Sequence, residues 1–464
     1  MWSGRVSAPL DEHFEQWQQS FGYDRRLLPH ECQASTAYAH ALARAGILTR
    51  SEARQIAGAL DDIANKGVDP DGASAHDAED VHHYVELELI ARLGNLGRKL
   101  HTGRSRNEQI ATDLRLYTRA AIAETRESLA LLCAALVKKA RKVKDAPMPA
   151  YTHMQRAEPI VAAHWLLAYV EMFLRDAERL ADCAKRVNLL PLGSGAIAGC
   201  TIPLDRAGMA KELGFDAITA NSMDATSDRD FELEFLNALS TIALHLSRMA
   251  EDFCLYSTVE FGFVKLPDEF ATGSSAMPQK KNPDSMELLR GKTARVLAAA
   301  QTLAVTIKGL PMAYDRDLQE SQEPLFSATE AIQDSLKVAT GFVEKVGFDT
   351  TRMKEAAGGG YLNATAAANY LVRKGVPFRT AHEIIGKAVR RAIEKGCELE
   401  GLSKSELAGF SDKFGSDFAE SVALPRVLAE HDVPGGTSPS RVQQALGAAE
   451  QRIASLRREM HAHA

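Results

Sequence analysis

The segment His101-Thr102-Gly103-Arg104-Ser105-Arg106-Asn107 packs six hydrogen-bonding side chains into seven positions, just ahead of a long helical stretch. Arginine pairs bidentately with carboxylates, and Ser, Thr and Asn complete an oxygen shell, so the run suits a carboxylate; taken alone it also reads as an ordinary polar helix start. Tyr151-Thr152-His153-Met154-Gln155 offers a histidine, the side chain whose ordinary pKa lets it move protons near neutrality, although a lone histidine is more often a structural hydrogen-bonding group. Residues 262–283, GFVKLPDEFATGSSAMPQKKNP, break the helical period, and a loop of that length in a compact protein is usually functional or disordered. Its tip, Gly273-Ser274-Ser275-Ala276, is small and flexible, while Lys280, Lys281 and Asn282 stand where the next helix begins and where free N–H groups favour anions. The loop reads as functional, and by itself it is compatible with phosphate binding, a flexible linker or a catalytic lid. Tyr314, Arg316 and Gln319 follow Pro311 on a further loop, and Glu79-Asp80-Val81-His82 reads as a capped, exposed helix turn.

Two apparent signals fail. Gly193-Ser194-Gly195 with Gly199 imitates a dinucleotide fingerprint but has one residue too many and no preceding strand; Gly291-Lys292-Thr293 mimics a phosphate loop, yet Met286 stands where its first glycine belongs. The basic run Lys138, Lys139, Arg141, Lys142 and Lys144 offsets the dipole at a helix end and does not indicate nucleic-acid binding. Fourteen histidines show no H-E-x-x-H and no clustered ligand spacing, which predicts no metal. The six cysteines form no C-x-x-C pair, so reduced thiols are expected.

These segments must be held by the elements between them. The 464 residues are 45% hydrophobic and 25% charged with a net charge of −6, the balance of a globular protein with no global attraction to nucleic acid or anionic lipid. The longest apolar run, Leu129 to Val137, is far short of the ~20 residues that span a membrane, and the N-terminus lacks a secretory apolar stretch, so a cytosolic location is expected. Phe231, Phe235, Leu239, Ile242, Leu246, Met249, Phe253 and Tyr256 recur at spacings of three and four, which predicts one long helix. Others are predicted from Asp284 to the stop at Gly309 and Pro311, after Pro324, from Ile110 towards Leu136, and from Pro159 through Trp165, Tyr169 and Met172. Strand signals are nearly absent. The expected fold is all-α, with a shorter-helix N-terminal domain over 1–103, a long-helix bundle over 104–355 and a C-terminal helical domain over 356–464. Long apolar stripes of this kind also predict oligomerisation.

Taken together, GSSAMPQKKNP (273–283), HTGRSRN, YTHMQ, LPLGSGAIAG (190–199), NSMDATSDRDF (221–231), STVEFGF (257–263) and YLVRKGVPFR (370–379) resemble the fumarase/aspartase superfamily, and within it the argininosuccinate lyase branch. The resemblance covers essentially the whole chain. It implies a homotetramer built around a central helix bundle, active sites assembled from segments of three subunits, no cofactor, and elimination of arginine from argininosuccinate to release fumarate in arginine biosynthesis. It further implies Ser274 as the base, His153 on the acid side with Glu287 orienting it, and Lys280 with Asn282 stabilising the carbanion's carboxylate. Ser105, Arg106, Asn107 and Thr152 would hold the succinyl carboxylates, and Ser20, Asp24, Tyr314 and Gln319 the arginine half.

Some positions depart from the family pattern. Gln322 stands where the family usually carries a substrate-contacting lysine, which removes one cation and opens the alternative of a sibling lyase acting on another N-substituted aspartate. Glu108 replaces an aspartate, Glu158 a glutamine, and Ser3 and Val6 alter the W-G-G-R-F start. A catalytically silent structural homologue is the rival from another class, and the intact Ser274, His153, Lys280 and Glu287 argue against it.

Overall fold

The computed structural model describes residues 8–462; the departures at Ser3 and Val6 lie outside them. The long helices expected from the apolar stripes are present as Arg106–Lys142, Ala162–Val187, Asp230–Tyr256, Asp284–Ile307 and Gln322–Lys345. The last starts two residues ahead of Pro324, which is tolerated because a proline in the first turn removes an N–H that has no intrahelical acceptor. A further long helix, Pro439–Ala462, also runs through the C-terminal part.

The chain divides into two compact units, and each long helix of the expected five contributes a part to both. The first unit comprises residues up to Thr125, Glu178–Thr241 and Ala294–Ile332. Its core includes Leu114, Phe231, Phe235, Leu303 and Leu325, and Tyr117 meets Phe326 edge to face with ring centroids 4.9 Å apart. The second comprises Arg126–Ala177, Ile242–Thr293 and the chain from Gln333 onward. There Phe253 packs on Phe342 at 5.1 Å and on Trp165 at 5.3 Å, and the Trp165 indole N–H donates to Asp252 at 2.7 Å, so the buried aromatic body keeps its polar tip satisfied. A separate apolar cluster of Leu371, Ala381, Ile385, Leu399, Phe418 and Val422 closes the short C-terminal helices on one another.

One expectation is corrected. Instead of a helix opening at Pro159, residues Pro147–Thr152 and Gln155–Val161 form an antiparallel hairpin, and helix begins only at Ala162. Pro149 and Pro159 face each other across it. Prolines hide such a hairpin from strand propensity but are tolerated in a two-stranded ribbon, which has only edges. The remaining sheet among the described residues consists of two-residue pairs, so the fold is helical. No helix among the described residues is long and apolar enough to cross a membrane.

Candidate active site

In the first unit, the start of the Val81–Leu93 helix organises three of the residues expected to bind substrate, Ser20, Asp24 and Arg106. Asp80 is its N-cap, with Oδ1 accepting the His83 amide at 2.7 Å, and the same oxygen lies 3.3 Å from Arg106 Nη1. The Val81 amide donates to Asp24 Oδ1 at 3.0 Å, and Ser20 Oγ donates to Asp24 Oδ2 at 2.6 Å. Ser20 and Asp24 are both buried. Burial, reinforced by the nearby Asp80 charge, pushes the Asp24 carboxyl up to about 7. Glu79 completes the turn: its carbonyl accepts the Ser20 and Phe21 amides, and its carboxylate takes Arg316 Nη2 at 2.8 Å. Arg316 and Gln319 both donate to the Gln18 carbonyl, at 3.2 and 3.1 Å. Gln319 also hydrogen-bonds Tyr23, whose phenol burial pushes up to about 12.

Ser105 caps the Arg106–Lys142 helix. Its Oγ accepts the N2 amide of Asn107 at 3.3 Å while Glu108 reaches back to the Ser105 amide at 3.1 Å, the second half of a capping box. The other Glu108 oxygen accepts the Gly193 amide, and Asn107 Nδ2 donates to the Ala196 carbonyl at 3.3 Å. The 101–107 run is thereby tied to the 190–199 run that carries the same family resemblance. Tyr314 is half-buried, and burial raises its phenol against the opposing fields of Arg229 and Arg316. Arg229 and Glu232 are wholly buried, 3.0 Å apart. Gln322 is buried too, and its Oε1 has no hydrogen-bond partner among the described residues.

In the second unit, Thr152 pairs with Gln155, leaving His153 and Met154 as a two-residue hairpin turn with φ of +55° and +59°. This is the I′ geometry that matches strand twist and usually recruits Asn or Gly; here non-glycine residues bear it. Tyr151, one step before, meets the Phe261 ring at 5.5 Å and anchors the strand. Thr152 and His153 are exposed at the tip.

The 262–283 loop is mostly non-helical, as expected, but not shapeless. Thr272–Gly273 pairs with Lys281–Asn282, and Thr272 Oγ1 hydrogen-bonds Asp284 at the next helix start. Within this pinched loop Ser274 Oγ accepts the amides of Met277 at 3.1 Å and Ala276 at 3.3 Å. Two donors aimed at one hydroxyl oxygen favour its ionised form. Lys280 is exposed, whereas Lys281 Nζ is engaged by the Leu266 carbonyl at 2.6 Å and by Asp268. Glu287, in the first turn of Asp284–Ile307, lies 3.7 Å from Arg290 on its own helix. Among the described residues no hydrogen bond or ion pair joins His153 to Ser274 or Glu287.

Glu79–His82 is the segment that sequence reasoning misread. Asp80 does cap a helix, but the turn is not exposed: the His82 side chain is 1% exposed, beside Glu31 and Asp113. A signal existed, since three residues able to donate, accept or titrate within four positions, Glu79, Asp80 and His82, are more than capping requires.

A family profile described as Lyase matches residues 4–298, and one described as Argininosuccinate lyase C-terminal matches 361–429. The chain is 55% identical over 464 residues to an argininosuccinate lyase of Koribacter versatilis, covering all of both chains. It is 54% identical to one of Acidobacterium capsulatum, over 98% of this chain and 95% of that one. A crystal structure of EDDS lyase in complex with formate superposes with a TM-score of 0.86 at 27% identity, covering 99% of this chain and 93% of that one. Full-length identity at this level, joined to the two family profiles, establishes that the chain belongs to the argininosuccinate lyase family of the fumarase/aspartase superfamily.

Proposed function

We propose that this protein cleaves argininosuccinate into arginine and fumarate as a cytoplasmic homotetramer whose sites are completed by segments of different subunits. The observation that carries the reading is the end-to-end identity of 55% with an argininosuccinate lyase, with Ser274, His153, Lys280, Asn282 and Glu287 all in place. Exposed Leu288, Leu297 and Val305 along the Asp284–Ile307 helix support assembly through that helix.

The substrate presents a dicarboxylate at one end and an α-amino acid at the other. Ser105, Arg106, Asn107 and Thr152 hold the carboxylates, with Arg106 supplying charge-assisted hydrogen bonds. Ser20, Asp24, Tyr314 and Gln319 bind the arginine half, where an ammonium group favours the ionised form of Asp24. Ser274, as alkoxide held by the Ala276 and Met277 amides, removes the proton next to the carboxylate; Lys280 and Asn282 stabilise the charge that spreads into that carboxylate. The carbon–nitrogen bond then breaks and the leaving nitrogen takes a proton from the His153 side, Glu287 orienting the imidazole. Around the carbon–nitrogen cleavage the side chains need supply only proton transfers and charge stabilisation.

The test is fumarate release by purified protein from argininosuccinate, followed by ultraviolet absorbance, beside a panel of other N-substituted aspartates. Turnover of another compound with none of argininosuccinate overturns the reading in favour of a sibling lyase, which the buried Gln322 with its unpaired carbonyl favours. Silence towards the whole panel favours a structural homologue.

A further inference from the structure

Behind the turn that presents Asp80 and Val81 to the binding residues, His82 points into the first unit. Its Nδ1 lies 2.9 Å from Glu31 Oε2 and 3.4 Å from Asp113 Oδ2, with all three side chains essentially excluded from solvent. Glu31 Oε1 accepts from Ser35 Oγ and Gln109 Nε2, each at 2.6 Å. Arg104 donates to Ser35 Oγ at 2.8 Å and brings a second Nη to 3.9 Å from Glu31. A small cavity, about 10 Å³ and of water size, touches this group and is bordered by Glu86, His101 and Arg106.

Two carboxylates this close and this dry do not both ionise. Burial, with Glu31 beside it, pushes the Asp113 carboxyl up, while the His82 imidazole at 2.9 Å and an Arg104 Nη at 3.9 Å stand against Glu31. None of these groups belongs to the proposed chemistry. Their placement in the sequence is informative: His82 is two residues from Asp80 and one from Val81, while Gln109 and Asp113 lie one and two helical turns beyond Arg106 on the Arg106–Lys142 helix. The network therefore grips both partners of the Asp80–Arg106 ion pair from behind.

We propose, resting on the argininosuccinate reading, that Glu31, His82 and Asp113 form a buried polar bracket of positioning residues that holds Asp80, Arg106 and Asp24 in register for substrate. The same three residues are also the one group among the described residues whose potential metal-ligand atoms all lie within 4.8 Å of one another. A bound cation fits less well, because Glu31 already accepts from Ser35, Gln109 and the imidazole, and a guanidinium stands beside it.

The test compares His82→Leu, which fills the space but donates nothing, with His82→Asn, which restores a donor near the Nδ1 position. His82→Leu raises KM by at least about tenfold with a much smaller fall in kcat, the size expected when members of one network are uncoupled, and His82→Asn recovers most of it. Asp113→Asn, which mimics a carboxyl already neutral, stays within about threefold of wild type. Amide hydrogen exchange gives a readout that needs no turnover: protection at 79–83 and 104–108 falls in His82→Leu and is restored in His82→Asn. Wild-type protein inactive on argininosuccinate but showing this exchange pattern sinks the functional reading and keeps the bracket. Unchanged KM and exchange in His82→Leu overturn the bracket. So does a stoichiometric divalent cation in the purified protein whose removal reproduces the variant. Should His82→Leu fail to fold, Glu31→Gln carries the same expectation.

Discussion

Asp80 Oδ1 accepts the His83 amide at 2.7 Å and stands 3.3 Å from Arg106 Nη1, so a single carboxylate oxygen caps the start of one helix and holds an arginine at the first position of another. The two tasks are separable by substitution. Asparagine caps a helix about as well as aspartate but carries no charge. Asp80→Asn is expected to keep the melting temperature near that of wild type while raising KM about tenfold, whereas Asp80→Ala additionally loses about 1 kcal/mol of stability. Calorimetry alongside steady-state kinetics checks both; equal thermal losses in the two variants contradict the assignment.

Ser274→Ala and His153→Asn are each expected to lower kcat by at least about 10²-fold, the lower range for loss of acid–base help, with assembly and thermal stability retained. Both side chains are at least partly exposed, so neither substitution opens a core cavity. Wild-type rates in either variant would remove that residue from the mechanism.

The His153–Met154 turn carries two non-glycine residues in left-handed conformation. Each costs about 1–2 kcal/mol relative to ordinary backbone. Replacing Met154 by glycine relieves one of these at the expense of unfolded-state entropy, so Met154→Gly is expected to gain roughly 0.5–1 kcal/mol in stability. A denaturant midpoint that falls instead of rising shows that the methionine side chain, not the backbone, governs this turn.

Asp24, raised from an ordinary 3.8 to about 7, binds a proton in the folded protein over a pH range where the unfolded chain has lost it. Its contribution to stability is thus complete below about pH 4 and is lost as pH rises to about 7. In Asp24→Asn that part of the slope disappears, leaving the contributions of other carboxyls raised by burial, among them Glu232, pushed up to about 7, and Asp113. Urea midpoints measured across this range report it. If Asp24 receives the substrate ammonium group, KM in the wild type falls as pH rises through 7, and Asp24→Asn lacks that dependence.

Much of the architecture was legible because it is written locally. A helix declares itself through apolar side chains three and four residues apart, and the stripe from Phe231 to Tyr256 reproduces the observed Asp230–Tyr256 helix almost to the residue. Gly309 and Pro311 likewise announce the end of Asp284–Ile307. The 147–161 hairpin was not legible, since Pro149 and Pro159 suppress every strand signal and its turn lacks the usual Asn-Gly.

The helical class, the polar runs and the family are all written in residues close together in the chain. Only tertiary structure decided that His82 faces Glu31 and Asp113, that Ser20 and Asp24 meet the start of the Val81–Leu93 helix, and that Glu108 joins the 101–107 run to Gly193. Polar residues on a helix look alike in sequence whether they face water or one another. Which of them is buried depends on contacts between segments far apart along the chain, and burial is what turns a charged side chain from a solvated surface group into a positioning element.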